Sequence, residues 1–159
     1  MRGLHATRYA EGNVLASPRL DLPKGLHGTD TTGVTRIRIS SGSAFEERVG
    51  YSRAVRVGNQ IWVAGTAPIL PGDADPPAGA YDQAKVCLGI IERALGEAGA
   101  TFDDVVRTRI YVNDASLIDE VGRAHGEAFG KARPATTGIV VTLLDPRWLV
   151  EIEVEAVVD

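Results

Sequence analysis

Val150-Glu151-Ile152-Glu153-Val154-Glu155-Ala156 alternates apolar and acidic residues without a break. A period of two over that length is a β-strand, with Val150, Ile152, Val154 and Ala156 turned to a core and the glutamates to the other face. Same-face glutamates stand roughly 7 Å apart and repel one another, so the row needs something opposite it. Cross-strand arginines, a partner subunit or a ligand would each serve.

Upstream, Val105-Val106-Arg107-Thr108-Arg109-Ile110-Tyr111-Val112 alternates in the same way, with Arg107, Arg109 and Tyr111 on one face, and is read as a central strand. Thr35 to Ile39 and Ser52 to Val57 form the first two strands, separated by a Gly/Ser/Glu-rich connection. Gly58-Asn59 supplies turn chemistry before Ile61-Trp62-Val63-Ala64-Gly65, which predicts a hairpin over residues 52–66. Prolines 68, 71, 76 and 77 mark a long loop, either functional or disordered.

Ala84, Cys87, Leu88, Ile91, Leu95 and Ala98 recur at helical spacing, opened by Asp82 and closed by Gly99. A second helix starts at Ser116-Leu117-Ile118-Asp119, which resembles a capping box, and runs to Gly130. Residues 136–143 form a further strand, and Asp145-Pro146 turns the chain into the acidic one. The order is an α+β pattern in which two helices cover one face of a single sheet. The other face then needs an oligomeric partner, which would also bring cations to the glutamates.

The chain has 159 residues, 44% of them hydrophobic, enough for one domain from residue 35 to residue 159. Residues 1–34 carry repeated Gly and Pro breaks without a sustained period and read as a mobile leader. The net charge of -4 argues against nucleic acid as a partner. No apolar run approaches the roughly 20 residues that span a bilayer, so a soluble, cytoplasmic protein without membrane contact is expected. The single Cys87 lies on a helical apolar stripe and is read as a buried structural thiol. His5 and His27 fit no metal spacing with His125, so no metal site is expected. His125 itself is read as a helix-surface or interface residue rather than an acid or base, and Trp62 and Trp148 as core or interface packing.

Several segments together carry a resemblance: Gly50-Tyr51-Ser52-Arg53-Ala54-Val55-Arg56-Val57-Gly58-Asn59, Val63 to Pro68, Val105 to Asp114, Arg133-Pro134-Ala135-Thr136-Thr137, and the acidic strand. In order and spacing, over residues 45–158, they resemble the Rid or YjgF-like family of reactive intermediate deaminases. The resemblance implies a chorismate-mutase-like α+β protomer, a homotrimer, and small-molecule clefts at the subunit interfaces. It also implies hydrolysis of enamines and imines to a keto acid and ammonia with no cofactor.

Residue by residue, Tyr51 matches a cleft-lining tyrosine, Gly65 a glycine whose backbone approaches the ligand, and Glu153 a glutamate that positions the attacking water. The family's carboxylate-anchoring arginine is replaced by Thr136, whose hydroxyl brings no charge. Ala64, Gly122 and Gly138 stand where serine, asparagine and cysteine are frequent. Arg109 either substitutes as the anchor or pairs across strands with the glutamates, and pairing is the preferred reading. Two functions follow: a deaminase with Glu153 as catalytic group and Tyr51, Gly65, Thr136 and Arg109 around the substrate, or a noncatalytic binding or regulatory trimer.

Overall fold

The computed structural model describes residues 35–159. The segment read as a leader, residues 1–34, lies outside the described residues. Strands β1 (Arg36–Ile39), β2 (Ala54–Val57), β3 (Gln60–Thr66), β4 (Val105–Val112), β5 (Ala135–Val140) and β6 (Val150–Val157) form one sheet in the order β1-β2-β3-β6-β4-β5. All neighbours are antiparallel except β4 and β5, which run parallel through the crossover helix between them. The acidic strand β6 sits between β3 and β4, so the last stretch of the chain closes the middle of the sheet. β4 is an inner strand too, one place from the edge.

Two helices, α2 (Ala80–Glu97) and α3 (Ile118–Phe129), cover one face. Their buried Ala84, Cys87, Leu88, Ile91, Leu95, Val121 and Ala124 pack with Ile61, Val63, Ile110, Val112, Val150, Ile152 and Val154 of the sheet. The alternation of β6 thus maps onto two environments: its aliphatic residues are buried and its glutamates are half-exposed. Cys87 is fully buried, and burial pushes its thiol far above its ordinary range. Gly99 closes α2 with φ +80°, a left-handed conformation that suits glycine.

Three local readings change. The connection before β2 contains a helix, α1 (Ala44–Val49), capped by Ser43 and ended by Gly50 at φ 81°. One and a half turns are too short to display an apolar period, although the cap and the glycine are both in the sequence. Ser116 is not the helix cap: Asp114 accepts from the Ser116 N–H at 2.7 Å and caps a short 3-10 turn ahead of α3. β5 stops at Val140, three residues before the expected end.

The proline-rich loop is tied down. Gln83, 1% exposed, donates to the carbonyls of Pro77 (2.8 Å) and Arg147 (2.9 Å) and accepts from the Leu149 N–H (2.7 Å). Arg147 in turn pairs with Asp75, Asp145 and Asp73. Among the described residues, no helix is long and apolar enough to cross a membrane.

Candidate functional site

The face left open by the helices carries the site. Antiparallel register sets Arg107 opposite Glu155, Arg109 opposite Glu153 and Tyr111 opposite Glu151. Arg109 Nη1 lies 2.8 Å from Glu153 Oε1 and 2.9 Å from Glu155 Oε1, bridging two members of the acidic row. Both carboxylates hold the guanidinium in its charged form. The Tyr111 hydroxyl donates to the same Glu153 Oε1 at 3.0 Å. Its burial, followed by that bond, raises the phenol above its usual range.

On the other flank, β3 bulges. Val63 pairs with Val154 and Thr66 with Ile152, so Ala64 and Gly65 together oppose the single residue Glu153. Arg53 stabilises the bulge by donating Nη2 to the carbonyls of Ala64 (2.6 Å) and Gly65 (2.7 Å), and the Thr66 hydroxyl donates to Ala64 O at 2.8 Å. Gly65 has a steric requirement: a Cβ there would fall 2.1 Å from Glu151 Oε1. The Glu151 carboxyl therefore lies directly against the Gly65 backbone.

Glu151 and Glu153 differ in environment. Glu153 receives two donors on one oxygen. Among the described residues, no donor reaches the Glu151 side chain, and burial pushes its carboxyl above the usual carboxylate range; Arg53 opposes the rise and Glu153 adds to it. Both carboxyls, with Gly65 and Tyr111, border one open hollow of about 370 Å³ walled by Val141 to Leu144. On the opposite side Glu153 borders a second hollow of about 470 Å³, with Tyr51, Trp62, Arg38 and Arg109.

Within the single chain the structure brings Tyr51, Arg109 and Glu153 together, and Gly65 with Glu153. Thr136 stands apart. It pairs in register with buried Thr108, and the two hydroxyl oxygens are 2.9 Å apart, on the helix side of the sheet. Gly138 faces that side as well, 3.3 Å from Ile118 Cδ1 at its Cβ position. His125 joins Thr136 rather than the glutamates: its Nε2 is 2.9 Å from Thr108 Oγ1 and its ring lies on Phe129, where burial lowers its pKa. It is half-buried on the inner side of α3. Trp62 is 41% exposed on the open face.

Sequence reasoning missed Glu151 and Arg53. Glu151 was legible only as one of a row of three, and nothing local separates it from its neighbours. Arg53 lies inside a quoted motif, but its bond to residues 64 and 65 depends on the bulge.

The family model described as endoribonuclease L-PSP matches residues 41–158. The chain belongs to this family, also called YjgF/Rid. An uncharacterized protein of Streptomyces coelicolor, SCO2049, is 43% identical over 124 residues, which cover 75% of this chain and 90% of that one. The putative reactive intermediate deaminase TdcF of Escherichia coli is 26% identical over 110 residues, covering 67% of this chain and 85% of TdcF. The crystal structure of Rv2704 from Mycobacterium tuberculosis, a member of the YjgF/YER057c/UK114 family, superposes with a TM-score of 0.71. It is 50% identical, and the match covers 78% of this chain and all of that one. As a YjgF/Rid member the chain is a mixed α+β protein built on one sheet, as its resemblance implied.

Proposed function

We propose that this YjgF/Rid protein is a cofactor-independent hydrolase of a small imine or enamine, with Glu151 and Glu153 as its acid–base pair. The observation that carries the reading is the unequal pair of carboxyls beside Gly65. Imine hydrolysis needs a proton removed from water as it adds to the C=N carbon, and a proton delivered to nitrogen before C–N cleavage. One oxygen of Glu153 is held by Arg109 and Tyr111, which leaves Oε2 to orient and deprotonate the water. Glu151, whose carboxyl burial pushes above the usual carboxylate range, is the better placed of the two to hold a proton and deliver it to the leaving ammonia. The products are a carbonyl compound and ammonia, and an enamine would first take a proton at carbon to become the imine.

The protein works as a homotrimer in the cytoplasm, with residues 35–159 as its working domain, in this reading. Support for assembly comes from the open sheet face, where Trp62, Tyr51 and Ile139 stand exposed among charged groups. A neighbouring subunit would close the two hollows that flank Glu153. Thr136 and Tyr51 would contribute from the edges of such a cleft.

A noncatalytic binding role is the second reading, and one observation favours it. Thr136 supplies no charge, and Arg109 is already paired with Glu153 and Glu155, so neither of these two residues offers a free cation to a substrate carboxylate. Decay of enzymatically generated 2-iminobutyrate separates the readings. The hydrolase should accelerate it, with Glu153→Gln losing about a hundredfold or more. No acceleration by the wild-type protein would remove amino-acid-derived imines as substrates.

A further inference from the structure

On the helix side of the sheet, between α2 and the segment following β3, lies a cavity of about 510 Å³. Arg53 and Arg93 supply its cations, while Ala67, Ile69, Leu70 and Ile90 supply apolar wall. A smaller hollow toward β1, about 160 Å³, shares Arg53, Arg93 and Ile90 with it. Neither arginine has a carboxylate partner among the described residues.

Of the neighbouring acids, Glu151 acts on Arg53 through space from the bulge side without a hydrogen bond to it. Glu46 is held by the hydroxyls of Ser40 and Ser41, each at 2.6 Å, and by the Ser41 N–H at 2.8 Å. Glu97 borders the smaller hollow, one turn beyond Arg93, without pairing to it. Arg53 uses Nη2 on the bulge carbonyls, while its Nε is buried with no acceptor. Both guanidiniums face the same cavity without a carboxylate partner, and a carboxylate there would accept charge-assisted hydrogen bonds from each.

We propose that this cavity is a second ligand site, for a small carboxylate with a short apolar tail: Arg93 and Arg53 hold the carboxylate, and Ala67, Ile69, Leu70 and Ile90 enclose the tail. The site is distinct from the glutamate pair and does not depend on its chemistry. Arg53 nevertheless joins the two places, because the same guanidinium holds the carbonyls of Ala64 and Gly65. Tyr51 borders both cavities. An occupant would therefore act on the bulge through one side chain, which is the arrangement of an effector site.

Titration of the full chain with hexanoate, followed by two-dimensional NMR, tests the assignment. Saturable shifts are expected at the amides of Gly42, Ile69, Gly72 and Arg93, with the Trp62 indole unmoved. Arg93 is exposed, so Arg93→Gln should fold normally and bind hexanoate about tenfold more weakly. Butanoate, shorter by two methylenes, should also bind roughly tenfold more weakly. Hexylammonium, with the same tail and the opposite charge, should produce no shift. The proposal fails if hexanoate gives no saturable shift or moves only the Trp62 indole. It fails equally if Arg93→Gln binds as well as wild type, or if inorganic phosphate binds as tightly as hexanoate.

Discussion

At the scale of single residues, position 65 shows how a side chain that is absent shapes the chemistry. A methyl group at Gly65 would overlap Glu151 Oε1, but that atom is the free end of a flexible side chain that can swing away. Gly65→Ala should therefore keep its fold, with a stability loss under about 1 kcal/mol, while any acid–base activity falls because Glu151 leaves its place. Thermal melting and imine turnover on the same sample check the split.

Glu151 also predicts a pH dependence. Its raised folded-state pKa means the native state binds more protons than the unfolded chain between the two pKa values, so its contribution falls as pH rises through the folded value. Glu151→Gln should then be more stable than wild type at about pH 8 and lose that advantage near about pH 4. Denaturant midpoints across that range measure it. Glu46 behaves in the opposite sense: burial raises its pKa, the Ser40 and Ser41 bonds outweigh burial, and its net lowering makes its contribution fade on acidification. The exchange of Glu46 for Gln isolates that term.

At the scale of elements, the proline-rich loop and the β5–β6 connection are held by α2 through Gln83. Gln83→Leu would remove the partners of two carbonyls and one N–H at a part-buried site, costing about 2 kcal/mol. Amide exchange at Leu149 should quicken well beyond the global change. The loop also supplies Ile69 and Leu70 to the cavity on the helix side, so an element that the prolines made conspicuous has a defined wall to form. The strands and both long helices were legible because each carries a sustained period of two or of three to four. α1 was not, since six residues cannot show a period, and its place depends on Glu46 reaching Ser40 and Ser41.

At the scale of the molecule, the sheet has one face packed by helices and one face of charge with Trp62 uncovered at its centre. A negative charge there should abolish the assembly inferred above: Trp62→Asp should sediment as a monomer while wild type sediments as a trimer. A wild-type monomer would leave the cleft incomplete and favour neither proposed function.

The alternation of β6, the arginines of β4 and the two helical stripes determined the α+β architecture and the face on which the glutamates stand, because periodicity is a local property of the chain. The segments from Gly50 onward marked the family in the same local way. Only the tertiary structure decided that the β3 bulge sets Glu151 against Gly65, that Arg109 is shared between Glu153 and Glu155, and that Thr136 turns to the helix side beside Thr108. Each of those depends on register between strands distant in sequence, where a shift of one residue exchanges the faces and reassigns every partner.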